Sequence, residues 1–278
     1  MSSTRVEGVR TSRVRKYLDA HPFRSLDTFG RQVALFGRTV KFLVLSIARR
    51  NFPFGEFIRQ CAFMASAVAL PTLLVAIPIG VIVSIQVGTI AGQVGATAFA
   101  GAANGLGIVR QGAPLVTAML IAGAVGSAVC ADLGTRTIRE EIDALRVMGI
   151  SPLHRLIVPR FAAALLVSVL LCGFVCFVGF ITGYVFNVFV QNGTPGSYLS
   201  TFASFTSESD LLLALVKSVT YGAIVVVVAC DKGLTTRGGP AGVANSVNAA
   251  VVSSVILLFG VNVVFTQIYQ SIFPQNGV

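Results

Sequence analysis

The sequence predicts an all-α integral membrane protein, and three observations carry that prediction. Apolar residues make up 54% of its 278 residues and charged ones 12%, about half the charged share of a soluble domain, and the mean hydropathy is +0.81. From Gln60 to Val109, fifty consecutive residues carry no charged side chain. The basic residues are also unevenly placed: twelve of the 21 Lys and Arg precede residue 60, and most of the others border apolar runs. A membrane protein holds its cytoplasmic side in this way, so the net charge of +10 is assigned to the membrane and not to nucleic acid. The length allows one domain and no second catalytic module.

Residues 1–59 read as a basic cytoplasmic tail followed by an interfacial helix. Residues 1–26 are irregular and basic, with Arg10, Arg13, Arg15, Lys16 and Arg24 facing anionic headgroups, and no signal peptide is expected. Next, Phe29, Val33, Phe36, Val40, Leu43, Val44 and Ile47 share one helix face, opposite Arg31, Arg38 and Lys41. That spacing predicts an amphipathic helix, lying in the interface plane or packed on the protein's own surface. Asn51-Phe-Pro-Phe-Gly55 then turns the chain into the membrane.

Residues 60–278 read as the membrane domain. The first span is expected at about 61–86, with Pro71 and Pro78 as kink points. The following stretch, 88–109, is rich in Gly and Ala, and loop charge decides its fate. If it crossed the bilayer, the five arginines at Arg136, Arg139, Arg146, Arg155 and Arg160 would face outside. Read as a shallow or re-entrant segment, it leaves the basic loops on one side throughout. Five spans follow, N-terminus in and C-terminus out: about 61–86, 112–133, 158–189, 211–231 and 244–272. Tyr198 to Asp210 is expected as a polar external segment.

Between spans two and three lies the one organised polar feature, Thr137 to Pro152. Thr137 with Glu140 fits a capping box, and Gly149 followed by Pro152 is a stop signal. A cytoplasmic helix of about three turns is expected. Ile138, Ile142 and Leu145 form an apolar stripe on it, and Glu140, Glu141 and Asp143 lie largely elsewhere with Arg139 and Arg146. Two readings stay open: a solvated surface helix paired within itself, or a docking helix whose stripe enters a partner's groove.

The absences narrow the function. No Gly-Lys-Ser/Thr occurs, so the chain has no phosphate loop for ATP. The two histidines, His21 and His154, read as ordinary surface residues. The five cysteines read as packing residues, and no metal site is expected. No Asp or Glu is expected deep in a span, which disfavours an ion-coupled transporter. Lys217 is the single expected intramembrane charge. It sits near the outer end of span four, where a lysine snorkels to the headgroups and could meet a lipid headgroup or another anionic ligand.

Ala131-Asp-Leu-Gly-Thr135, Glu140-Glu-Ile-Asp-Ala-Leu-Arg146, Met148-Gly149, Pro152 and Val158-Pro-Arg160 together resemble the signature of the MlaE/YrbE permeases, transmembrane subunits of ABC transporters that serve MCE-domain lipid carriers. Tyr198-Leu-Ser-Thr201 and Gly233-Leu-Thr-Thr-Arg-Gly-Gly239 resemble the actinobacterial YrbE proteins. The resemblance implies an inner-membrane transport subunit, not an enzyme, with ATP and Mg bound in a separate ATP-binding ABC subunit and MCE-domain proteins on the outer side. It implies a hydrophobic lipid substrate, such as a fatty acid or sterol, with import favoured. It makes Arg139, Glu140, Glu141, Asp143, Leu145 and Arg146 the element that couples to the ATPase. Two departures, Ala124 where many relatives have Arg and Gly112-Ala-Pro114 where many have Leu-Gly-Pro, favour a heterodimer with a second permease over a homodimer. An ion-coupled lipid transporter and a non-transporting scaffold for MCE-domain proteins remain the alternatives.

Overall fold

The computed structural model describes residues 28–46, 48, 52–95 and 99–272. The basic tail 1–26, Ile47 of the expected amphipathic face, and Asn51 of the elbow lie outside them. The described residues form helices and no strand. They are α1 (28–46), α2 (Phe54–Gln93), α3 (Ala100–Ile138) and α4 (Glu141–Val147). After these come α5 (Leu153–Phe189), α6 (Pro195–Phe205), α7 (Glu208–Leu234) and α8 (Gly239–Ile272). Helices α2, α3, α5, α7 and α8 are apolar and run 27 to 40 residues, against the roughly 20 that span a bilayer. The protein is an all-α membrane protein with five such spans among the described residues.

The Gly-rich stretch 88–109 is corrected by the structure. Its described residues form no separate segment: its beginning completes α2, and its end, from Ala100, is the first part of α3. Glycine weakens a helix by about 1 kcal/mol, yet here the missing side chains have a use. A Cβ on Gly101 would lie 2.3 Å from the Tyr198 carbonyl, and one on Gly105 would lie 2.4 Å from Thr206 Oγ1. These two glycines let α6 rest directly on α3. The expected polar segment at 198–210 is therefore a docked helix with Tyr198 buried beneath it and Phe202 against Phe180 at 4.6 Å. Burial pushes the Tyr198 phenol up to about 12, against the pull of its bond from Asn104 Nδ2 (2.8 Å).

α2 runs unbroken through Pro71 and Pro78. It buries one residue every four, Gln60, Met64, Val68, Thr72, Ala76, Gly80 and Ser84, a narrow stripe that packs mainly on α5. Small residues on that seam bring the helices close: a Cβ on Gly80 would sit 3.1 Å from Thr182 Cβ. α3 and α7 form the centre, joined by Val125, Val129, Leu133, Val225 and Val226. Gly233 packs against Leu133 so closely that its Cβ would lie 2.8 Å away. The central helices bury 61% and 56% of their apolar windows, whereas α2 buries 28% and α8 17%. The flanks of the bundle are therefore its most exposed apolar surfaces.

α1 packs on the protein's own surface, one of the two expected placements. Gln32, Leu35, Thr39, Leu43 and Ser46 turn toward the bundle, while Phe29, Val33, Phe36 and Val44 stay exposed. The helix is pinned at two points. Arg31 donates to both carboxylate oxygens of Asp231 at 2.6 and 3.1 Å, and Ser46 Oγ meets His154 Nε2 at 2.9 Å. His154 is thus a half-buried tether and not an ordinary surface histidine.

Candidate functional site

Two polar features stand at opposite ends of the bundle. At one end, α3 continues through Thr137 to Ile138, and the expected capping box does not form. The Thr137 hydroxyl donates to the Leu133 carbonyl at 2.8 Å, with the Gly233 carbonyl at 3.2 Å. A threonine bonded back to its own helix leaves nothing to cap the next one. Glu140 instead makes the corner in a left-handed conformation, φ 59°, which is uncommon for a residue with a Cβ. α4 is therefore seven residues long, two turns instead of three. Its stop is the expected one: Gly149, φ 75°, donates to the Arg146 carbonyl at 3.0 Å, and Ile150 N–H donates to the Leu145 carbonyl at 2.9 Å, a Schellman closure.

The apolar stripe of α4 points the other way from the docking expectation. Ile142 is buried and Leu145 packs half-buried against the central core, so the stripe seats α4 on its own protein. What it presents outward is Val147 (89% exposed), Met148 (63%) and Ile150, beside the exposed Glu140, Glu141 and Asp143. Arg146 pairs with Asp143 at 2.9 Å, while Arg136 and Arg139 approach Glu141 at 3.8 and 4.0 Å. Exposed pairs of this kind hold little energy and exchange readily for a partner's charges. Val147, Met148 and Ile150 were missed because helical spacing groups residues by face without saying which face meets the parent protein. The available signal was three apolar residues bracketing a stop glycine.

At the other end, Lys217 does not snorkel outward: it is 1% exposed. Its Nζ donates to Thr266 Oγ1 at 3.1 Å, with the Arg110 carbonyl at 3.5 Å. Nor is it the single charge within the spans. Arg110 lies within α3, in a wider π-type turn at Ile108–Gly112, a distortion often found at functional sites. It grips Asp210 in a fork, Nε to Oδ1 at 2.6 Å and Nη2 to Oδ2 at 3.2 Å. Asp210 is fully buried. It also accepts from the Tyr269 hydroxyl at 2.9 Å and caps α7 by accepting from the Ser207 N–H at 3.2 Å. The capping box expected at Thr137 is found here instead, at Ser207 and Asp210.

Arg110, Lys217, Thr266 and Tyr269 line a cavity of about 340 Å³ between α3, α7 and α8, with Leu106, Gln111, Leu213 and Gln270. Two cations line it, and the buried Asp210 is not part of its wall. Asp210 is committed to Arg110, and among the described residues no carboxylate reaches Lys217. The arrangement suits a ligand with an anionic head and an apolar body. The sequence reading found Lys217 but set Asp210 in a polar external segment, so its burial against Arg110 was not foreseen.

Comparison with known proteins adds the family. A family model described as Permease MlaE matches residues 57–268. A probable ABC transporter permease protein of Synechocystis sp. is 37% identical over 181 residues, covering 65% of this chain and 69% of that protein. Another, of Porphyra purpurea, is 32% identical over 183 residues, covering 66% and 69%. Protein TRIGALACTOSYLDIACYLGLYCEROL 1, chloroplastic, of Arabidopsis thaliana is 34% identical over 154 residues. That match covers 54% of this chain and 43% of that protein, so the chain spans less than half of it.

Proposed function

The chain belongs to the MlaE permease family, and from that premise we propose that it is the membrane subunit of an ABC transporter that moves a lipid, with ATP and Mg bound by a separate ATPase. The carrying observation is α4. A two-turn helix, seated on its own bundle through Ile142 and Leu145, offers an apolar knob and a carboxylate rim to a partner. Arg139, Glu140, Glu141, Asp143 and Arg146 supply the rim, Leu145 the anchor, and Val147 and Met148 the knob. An apolar centre with a charged border is how a docked helix gains both affinity and register.

On this reading the α4 end faces the cytoplasm of an inner membrane, and the N-terminus lies on the same side. The cavity around Lys217 receives the polar head of the lipid near the outer side, where MCE-domain carriers deliver it. The resemblance of residues 198–201 and 233–239 supports such carriers, and the lipid in the Arabidopsis relative's printed name supports a lipid cargo. The sparsely buried α8 offers a face to a second permease, with a heterodimer favoured. The ion-coupled alternative loses support because Asp210, the buried carboxylate of the outer cluster, is held by Arg110, Tyr269 and Ser207.

Charge and knob can be tested separately. Glu140→Lys with Glu141→Lys, and Val147→Asp with Met148→Asp, should each leave the protein inserted, since all four side chains are exposed. Each pair should reduce ATPase recovered with the tagged permease by about tenfold or more, the scale of losing an interface hot spot. Full recovery with both pairs would remove α4 from the coupling role.

A further inference from the structure

A second, larger cavity lies at the α4 end and plays no part in the reading above. It measures about 730 Å³ and is walled by the starts of α2 and α5 and the last turns of α3. Four arginines line it, Arg59, Arg136, Arg155 and Arg160, against two carboxylates, Glu56 and Asp132. Glu56 is engaged by Arg59 at 3.2 Å and by Gln60 Nε2 at 2.8 Å. Asp132 serves both Arg136, at 3.2 Å, and Arg160. Among the described residues, Arg155 has no ion pair.

Arg160 is the informative member. Its side chain is 2% exposed, and one nitrogen, Nη2, donates to Asp132 Oδ2. Its other two, Nε and Nη1, are buried without a hydrogen-bond partner in the protein. A guanidinium taken out of water with two donors unmet is costly, and native structures rarely leave such groups unexplained. Arg160 forms part of the cavity wall, so an acceptor entering the cavity can reach it. The guanidinium fork matches the paired oxygens of a phosphate as it does those of a carboxylate, and four arginines around one cavity suit the more highly charged phosphate.

We propose that this cavity is a phosphate-binding site, with Arg160 and Arg155 as its principal donors and Arg59 and Arg136 at its rim. Its size falls within the usual range of about 300–1,000 Å³ for ligand pockets, well beyond a lone phosphate. Apolar side chains flank it on α2: Phe63 lines the wall, and Phe54 and Ile58 are exposed nearby in the chain. A phosphate carrying an acyl-chain body, the head of an anionic phospholipid, satisfies both surfaces. Inorganic phosphate would satisfy the arginines alone.

The full-length chain, purified in detergent, is titrated in native mass spectrometry with dioleoyl phosphatidylglycerol, with dioleoylglycerol, and, in separate equilibrium dialysis, with inorganic phosphate. Phosphatidylglycerol should bind at least tenfold more tightly than dioleoylglycerol. Arg155→Gln, at an exposed and unpaired position, should weaken it about fivefold or more, and Arg155→Gln with Arg160→Gln further still. If Arg160→Gln impairs folding, Arg155→Gln and Arg59→Gln together carry the test. Phosphatidylglycerol bound with weak inorganic phosphate identifies a lipid headgroup; inorganic phosphate bound with equal sensitivity to Arg155→Gln identifies a soluble phosphate. Equal affinity for phosphatidylglycerol and dioleoylglycerol with no Arg155-dependent binding of inorganic phosphate, or binding of every ligand that Arg155→Gln leaves unchanged, overturns the site.

Discussion

Arg110 and Asp210 show how one pair of side chains can join three helices. Asp210 closes the first turn of α7 through Ser207, binds Arg110 of α3 in a fork, and accepts from Tyr269 of α8. Breaking a buried pair from one side leaves the other charge stranded, at about 3 kcal/mol. Asp210→Asn should therefore lower thermal stability clearly. The double variant with Arg110→Gln should be destabilised by at least about 1 kcal/mol less than the sum of the two single changes. Since the chain has no tryptophan, unfolding is best followed by a thiol-reactive dye on the buried Cys130, Cys172 and Cys230. Strict additivity would show that the fork does not couple the helices. None of this was legible beforehand. Arg110 and Asp210 are 100 residues apart, and nothing in hydropathy marks a charge that is neutralised by a distant partner. Lys217 was legible as an exception inside an apolar run, but whether it leaned outward or inward depended on Thr266 of the last helix.

At the scale of elements, glycine spacing sets what can lie against what. Gly101 and Gly105 make a flat strip on α3 that receives α6, and a side chain at either position meets backbone or a packed ring. Gly101→Val should therefore lift α6, at about 1–3 kcal/mol for overpacking, and speed hydrogen exchange of the amides in 195–205. Unchanged exchange there would mean that α6 is held by something other than this close approach. Small residues at fours were visible in the sequence, yet their partner was not, because a glycine strip does not name what covers it. α4 repeats the point. Its stop at Gly149 and its Ile142–Leu145 face follow from spacing alone, whereas the inward direction of that face follows from the core it meets, and Ile138 falls at the end of α3. The corner at Glu140 was hidden for another reason: Thr137 could cap a new helix or bond back into the old one, and Leu133 and Gly233 decide for the latter.

For the molecule as a whole, the count of five spans follows from loop charge and survives even though the reasoning placed 88–109 differently. Absorbing that stretch into α2 and α3 keeps the number of crossings unchanged, so charge alternation was insensitive to the error. The same arithmetic leaves basic side chains crowded at the α4 end and a mixed cluster at the α6 end, joined by an apolar centre of Val, Ala, Ile and Leu. The central claim is that a partner's ATP hydrolysis, received at α4, drives lipid movement through this bundle. Its most direct test is reconstitution of the purified complex in liposomes, with transfer of a fluorescent lipid followed with and without ATP. The account predicts transfer that requires ATP, falls at least about tenfold on Val147→Asp with Met148→Asp, and persists when the proton gradient is collapsed. Transfer at an undiminished rate without the ATPase, driven by a proton gradient, would contradict it.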